Sequence, residues 1–348
     1  MSATAAGGGL DVLIVSLGST AGLRDADEEL AASLRRAGAR VEVAPAARPA
    51  PVRTMALTDL AWARAARAAA LEALRTDGAR RVIYSTTTAA LLWPRPGAIR
   101  FDATAAGNRP GRHGFWQRPL ERRRLRAAPL LLPLDEGALA ELPQEERALA
   151  SERALVLGLA VEPSGPPPPQ RTLDAITYAG NPRKKGLDRV LAAWRAARAS
   201  GAAAGELVVA GASAGELRRA GIDLAREPGV RDAGRLPREE YRALVRSARV
   251  FVCAPRREDY GQAQLEALAD GCVLVTTPAP GPYAALPIAR RLDGRLVDDD
   301  LATALGAGLA HPDPAGYAAR ALSELAPLRA QAIDARVAAE LVPRLAAT

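Results

Sequence analysis

A chain of 348 residues exceeds what one hydrophobic core usually serves, so two domains are expected, each large enough for its own core. Apolar residues at 49% and charged residues at 25% exclude wholesale disorder, and two cysteines exclude a disulfide framework. The net charge of +8 favours phosphate-bearing or membrane-surface partners, while aromatic residues at 4% leave few stacking platforms and argue against nucleic acid.

In chain order, residues 1–9 read as a loose tail with no basic leader and no bilayer-length apolar run. With Cys253 and Cys272 both in apolar strand-like runs, a reducing cytoplasm is the expected setting. DVLIVS then reads as a strand ending before Gly18. A helix follows, with Leu30, Leu34 and Ala37 on one face, Asp25, Asp27 and Glu28 near its start and Gly38 as its stop. VEVA is the next strand, 57–74 a helix, and 81–86, 98–102 and 130–134 three further strands. Such alternation predicts a parallel sheet with helices on both faces.

Four consecutive prolines inside 162–171 can continue neither a helix nor a central strand, so this segment is expected to link domain 10–161 to domain 172–324. Beyond it the alternation restarts. AITYAG, ELVVAG, VFVCAP and CVLVTT read as strands, with helices at 187–198, 239–247 and 262–270 between them. Residues 325–348 read as helix interrupted at Pro327 and Pro343, crossing back to the first domain.

Ligands of open parallel sheets bind beyond the carboxyl ends of the strands, so the residues just after each strand carry the information. The turn GNPRKKG holds the chain's only two lysines, Lys184 and Lys185, beside Arg183 and two glycines. In a chain that otherwise uses arginine alone, this points to a need for a compact, flexible ammonium, suited to a diphosphate. A solvated basic turn is the other reading of the same residues. Further on, EDYGQAQLE places Glu258 in a loop and Glu266 eight positions later on a helix opened by Gly261. Paired carboxylates suit hydroxyl-rich ligands because each oxygen accepts hydrogen bonds. Read alone, they are equally a loop glutamate and an exposed helix glutamate.

The run from Ile176 to Pro282 resembles the C-terminal domain of retaining GT-B glycosyltransferases of family GT4. The resemblance rests on GNPRKKGLDRVLAAW, on ELVVAG, on DAGRLPREEYRALVRSARVFVCAP and on EDYGQAQLEALADGCVLVT, in that order and spacing. It implies a GT-B fold, with two Rossmann-like domains facing each other across a cleft, and a nucleotide-diphosphate sugar as donor with no cofactor or metal. Lys185, helped by Arg183, would stabilise the charge on the leaving nucleoside diphosphate. Glu258 would bind hydroxyls of the donor sugar, with the backbone of Gly261, Gln262 and Ala263 facing sugar and phosphate. Glu266 would bind the ribose, and Gly234, Arg235 and Leu236 would meet the base. Gly18 would line the donor from the first domain, where the resemblance holds only in outline. One departure stands out: Gly180-Asn181 replaces the family's Gly-Arg, in a turn one residue shorter.

A retaining member needs no dedicated base, because the leaving phosphate takes the acceptor's proton. Asp102 and His113 are the acceptor-side candidates, His113 also reading as a surface loop residue. The acceptor itself, whether glycan, lipid-linked or small molecule, is not identified. His311 reads as structural or exposed. Residues 109–126 carry seven arginines against Glu121, with Phe115 and Trp116 between them, and suit peripheral contact with an anionic membrane at its inner face. A solvated face is the alternative there. Two competing readings of the whole chain are a non-catalytic nucleotide-sugar or glycan-binding protein and, less favoured by the motifs, a nucleotide-sugar epimerase.

Overall fold

The computed structural model describes residues 10–76, 80–166, 168 and 170–348. The expected tail at 1–9, and Pro167 and Pro169 of the proline run, lie outside the described residues. The chain forms two compact α/β units: residues up to Ala160 together with Ala330–Thr348, and Val161–Arg329.

In the first unit, strands β1 (Asp11–Ser16), β2 (Arg40–Pro45), β3 (Arg81–Tyr84), β4 (Ala98–Phe101) and β5 (Leu131–Pro133) form one parallel sheet in the order β2-β1-β3-β4-β5. Helices cover both faces. Leu13, Tyr84, Ile99 and Leu131 share one core with Ala66, Ala70 and Ala73 of the helix Met55–Thr76, while Ile14, Ile83 and Leu132 join Leu30 and Leu34 of the helix Ala21–Arg36. That last helix starts earlier than its acidic residues suggest, at the cap Thr20, whose hydroxyl accepts the Leu23 N–H. The first turn therefore carries no acid, and Asp27 turns inward instead.

The C-terminal segment packs on this unit through Ile333, Val337, Leu341 and Leu345, each four residues after the last. In a regular α-helix such a row drifts around the axis by about 40° per step. A π-helical stretch, Val337–Leu341, widens the turn and holds the row on one face. The same wider turn lets the helix run on through Pro343, where an interruption was expected. Asp334 ties the segment to the first helix, accepting from the Ser33 hydroxyl at 2.6 Å and from two nitrogens of Arg36 at 2.8 Å.

The second unit repeats the architecture with β6 (Leu173–Tyr178), β7 (Leu207–Ala210), β8 (Val230–Gly234), β9 (Ala248–Cys253) and β10 (Val273–Thr276), all parallel, in the order β10-β9-β6-β7-β8. The three inner strands are almost wholly buried, as expected of a parallel sheet covered on both faces. The described part of the proline-rich segment lies along this unit. Ser164 bonds Asp270 through both its N–H (2.7 Å) and its hydroxyl, and Arg242 donates to the Glu162 carbonyl at 2.9 Å. No helix among the described residues is long and apolar enough to cross a membrane.

Candidate functional site

The strand order of the second unit reverses direction between β6 and β9: from β6 the chain winds outward to β7 and β8, then returns to the other side for β9 and β10. Loops leaving the carboxyl ends of β6 and β9 therefore part to opposite faces and leave a crevice, the general ligand site of such sheets. Those two loops are Gly180–Gly186 and Ala254–Gly261.

Gly186 is what allows them to touch. Its φ of +64 lies in the left-handed region that favours glycine, and a Cβ there would lie 1.9 Å from the Ala254 carbonyl oxygen, so no larger residue fits. The contact is then fastened polar group by polar group. Arg256 donates its N–H to the Lys184 carbonyl (2.9 Å) and its guanidinium to the Arg183 carbonyl (2.7 Å) and to both Asp188 oxygens (2.9 and 2.7 Å). Lys184 pairs with Asp259 at 2.5 Å. The Asn181 side chain, standing where the family's arginine would be, accepts the Lys184 N–H at 3.1 Å and closes the turn.

The outcome is that Lys185 Nζ lies 2.6 Å from Glu258 Oε2, across 73 positions of sequence. Glu258 is buried, and the same oxygen accepts from Gln264 Nε2 at 3.0 Å. Lys185 keeps about a fifth of its side chain exposed, 19%, against 6% for Glu258. Glu266, readable from sequence as an exposed helix residue, is buried as well, on the inner helix Gln262–Ala269. Its Oε1 accepts from Arg238 at 2.6 Å and from Gln262 Nε2 at 3.2 Å. Glu258 is thus held by one cation and one glutamine amide, and Glu266 by Arg238 and a glutamine amide with the buried Arg242 at 3.7 Å; the carbonyl oxygens of Gln262 and Gln264 are buried without a partner. Gly261 opens the helix at φ +90, leaving the first amides, those of Gln262 and Ala263, without helical partners.

Around Glu266 the loops after β7 and β8 complete the site. Gly234 is left-handed, Leu236 is half-buried, and Arg235 is drawn to Glu216 at 2.5 Å. The Ser213 N–H and hydroxyl, together with Arg235, hold the Glu216 carboxyl down to about 2. Tyr178 at the end of β6 packs closely against Gly180 and Gly211, and its ring stands 5.4 Å from that of Tyr241.

Not every expected residue joins this group. Arg183 is exposed and donates instead to the Arg219 carbonyl at 3.3 Å, while its own carbonyl accepts from Arg256. In the first unit, Gly18 is left-handed after β1, with Arg24 donating to its carbonyl at 2.8 Å. Asp102 follows β4 directly, and its charge, after burial itself, helps push the Asp135 carboxyl up to about 6. His113 sits exposed on the turn Gly111–Gly114, while His311 is a packing residue set edge-on to Tyr317. Four of the seven arginines in 109–126 have structural partners: Arg109 with Asp59, Arg118 with the Gly111 carbonyl, Arg124 with Trp93 and Arg126 with Glu146. Arg112, Arg122 and Arg123 face solvent, as does Phe115, 68% exposed.

Arg238, Gln264 and Tyr178 were not singled out from the sequence. Only Gln264 had a usable signal, its place inside the EDYGQAQLE run; Arg238 is one arginine among many and reaches Glu266 only through the fold.

Residues 174–311 match the family model described as glycosyl transferases group 1. No curated protein matches the chain. Among solved structures, WaaG, a glycosyltransferase involved in lipopolysaccharide biosynthesis, superposes with a TM-score of 0.68 at 16% identity, covering 94% of this chain and 99% of its own. Sucrose-phosphate synthase from Thermosynechococcus elongatus gives 0.67 at 15% identity, covering 98% and 100%. The pneumococcal O-GlcNAc transferase GtfA, in complex with UDP and GlcNAc, gives 0.57 at 14% identity over 83% of this chain and 60% of its own. The resemblance read from the motifs therefore stands, with the group 1 match over the second unit and the GT-B fold over both.

Proposed function

We propose that the protein is a retaining glycosyltransferase that takes a sugar from a nucleoside-diphosphate sugar held by its second unit and acts in the cytoplasm without a metal. The observation that carries this reading is the Lys185–Glu258 pair at the switch point of a sheet that also bears the group 1 match. A partly exposed lysine resting on a buried carboxylate can serve as an exchangeable pair. When the donor enters, its diphosphate offers Lys185 a stronger partner, and the sugar hydroxyls take the hydrogen-bond acceptors that the lysine leaves on Glu258. The carbon–oxygen bond to the diphosphate then breaks with Lys185 stabilising the charge that builds on the leaving oxygen, the task a metal performs in other transferases. The acceptor hydroxyl attacks from the face the phosphate leaves, and the phosphate oxygen takes its proton. Glu266 would bind the ribose, the backbone of Gly261, Gln262 and Ala263 the sugar and phosphate, and Gly234, Arg235 and Leu236 the base. Gly18 would line the donor from the first unit, and Asp102 and His113 would serve the acceptor side.

A thermal-shift screen with UDP, GDP, ADP and their sugars tests donor binding, because a ligand of the native state raises its apparent stability. A second reading, a nucleotide-sugar-binding protein without transfer, is favoured by one observation: Arg183 is engaged with Arg219 and Asn181 with its own turn, so a single lysine is left for the diphosphate. Binding without donor hydrolysis or transfer to any of a panel of acceptors would select it. For Arg112, Arg122, Arg123 and Phe115 we propose peripheral contact with an anionic membrane. Unaltered sedimentation with phosphatidylglycerol vesicles at low salt would remove that part.

A further inference from the structure

Tyr283 is the one non-glycine residue with positive φ, +47, among the described residues, and it is fully buried. A bulky side chain avoids this region because its Cβ crowds the following backbone, so such a conformation persists only where its surroundings impose it. Here the surroundings are the candidate donor site. The Tyr283 ring lies under Gly261: a Cβ on that glycine would come within 3.0 Å of two ring carbons. The Tyr283 hydroxyl shares a hydrogen bond of 2.6 Å with Thr276 at the end of β10 and lies 3.6 Å from Cys253 Sγ at the end of β9. Just before it, Pro280 accepts the Glu258 N–H at 3.0 Å, and Gly281, at φ +115, passes so close under the Glu258 carbonyl that a Cβ would stand 2.1 Å from its oxygen. The segment 280–283 thus grips both ends of the loop from Glu258 to Gly261 and refers them to the ends of β9 and β10.

We infer that Tyr283 is a positioning residue for donor binding: its left-handed backbone turns residues 280–281 under Glu258, and its ring sets the height of Gly261, so that the sugar-binding carboxylate and the amides after Gly261 are held in one geometry. This rests on the donor reading above. A loop held at one end only would let Glu258 move relative to Gly261, and displacements of that kind weaken binding without unfolding the domain.

Calorimetry with UDP, GDP and ADP on the full chain, well below each variant's unfolding temperature, tests the inference. Tyr283→Asn tolerates the backbone angle but removes the ring, and it should raise the Kd of the preferred nucleotide at least about tenfold. Tyr283→Phe restores the ring and should recover binding to within about threefold of wild type. A folded Tyr283→Asn protein with wild-type Kd overturns the inference. Should that variant fail to fold, Tyr283→Phe and Thr276→Val decide. Each should raise the Kd about two- to threefold and the double variant by less than the product of the two, since both break the Tyr283–Thr276 hydrogen bond. Lowered unfolding temperatures with unchanged Kd in both would show a purely structural tyrosine. Wild-type protein that binds none of the three nucleotides refutes the donor reading itself, and the positioning role with it; wild-type binding with an indifferent Tyr283 refutes only the latter.

Discussion

The two sheets each have a point where the strand order reverses, and they fill it in opposite ways. In the first unit it lies between β1 and β3, where the Ser16 hydroxyl donates to Asp27 at 2.5 Å and Arg100 reaches the same carboxylate at 3.4 Å. Both charged side chains are almost fully buried, at 8% and 2% exposure, and burial raises the Asp27 pKa against the pull of Arg100. In the second unit, between β6 and β9, the carboxylate is equally buried but its cation is a partly exposed lysine. A guanidinium enclosed on all sides is cement, because removing it strands a charge in low dielectric. A partly exposed lysine is, on the reading proposed above, the one that trades its partner for a phosphate. The same topology thus supplies a crevice twice, and the side chains decide which one is free to bind.

Three experiments can break or sharpen this contrast. The largest effect belongs to the second unit: Lys185→Ala and Glu258→Ala should each cut turnover by about 10²–10³-fold, the usual cost of removing one group that stabilises developing charge. Full turnover in either variant, measured by donor consumption, would place the chemistry elsewhere.

In the first unit the expected signature is a pH dependence. Burial pushes the Glu121 carboxyl from its ordinary 4.5 up to about 7, opposed by the Thr87 hydroxyl and the Ala105 N–H. Because the folded pKa is the higher, the folded chain keeps a proton that the unfolded chain has lost, so stability falls as pH rises from about 4.5 to 7 and then levels. Glu121→Gln should remove this slope, at most about 3 kcal/mol across the window. Urea denaturation of both proteins over that range reads the difference, and parallel curves would show that Glu121 ionises freely.

The smallest effect is that of Arg238→Ala. Its pair with Glu266 has a cation more than half exposed, so stability should change by about 1 kcal/mol or less, and the loss should shrink further in salt. A larger loss would mean that Glu266, like Asp27, depends on its arginine as cement.

Much of the fold was readable from the chain. Strand runs and helical faces placed nine of the ten described strands to within a few residues, because period and apolar run length are local properties; the tenth, β8, is an edge strand with exposed Arg231 and Asp232 and carries no apolar run to read. Pro343 misled because the π-helical stretch before it depends on packing against the first unit. Within the site, the glycines were readable as a need for tight turns, and the pairing of Lys185 with the loop of Glu258 was suggested only through family resemblance.

What the sequence by itself determined was therefore nine of the strands with the helices that follow most of them, the division into two α/β units and the types of group at the carboxyl ends of the strands, since each depends on neighbours a few residues away. Which of those groups meet was decided only by the tertiary structure. Strand order brings β6 beside β9, Gly186 lets their loops close to contact, and the enclosed carboxylates then select their cations: Lys185 for Glu258, Arg238 for Glu266. Arg183, two residues before Lys185 and identical in charge, reaches the Arg219 carbonyl instead of either carboxylate.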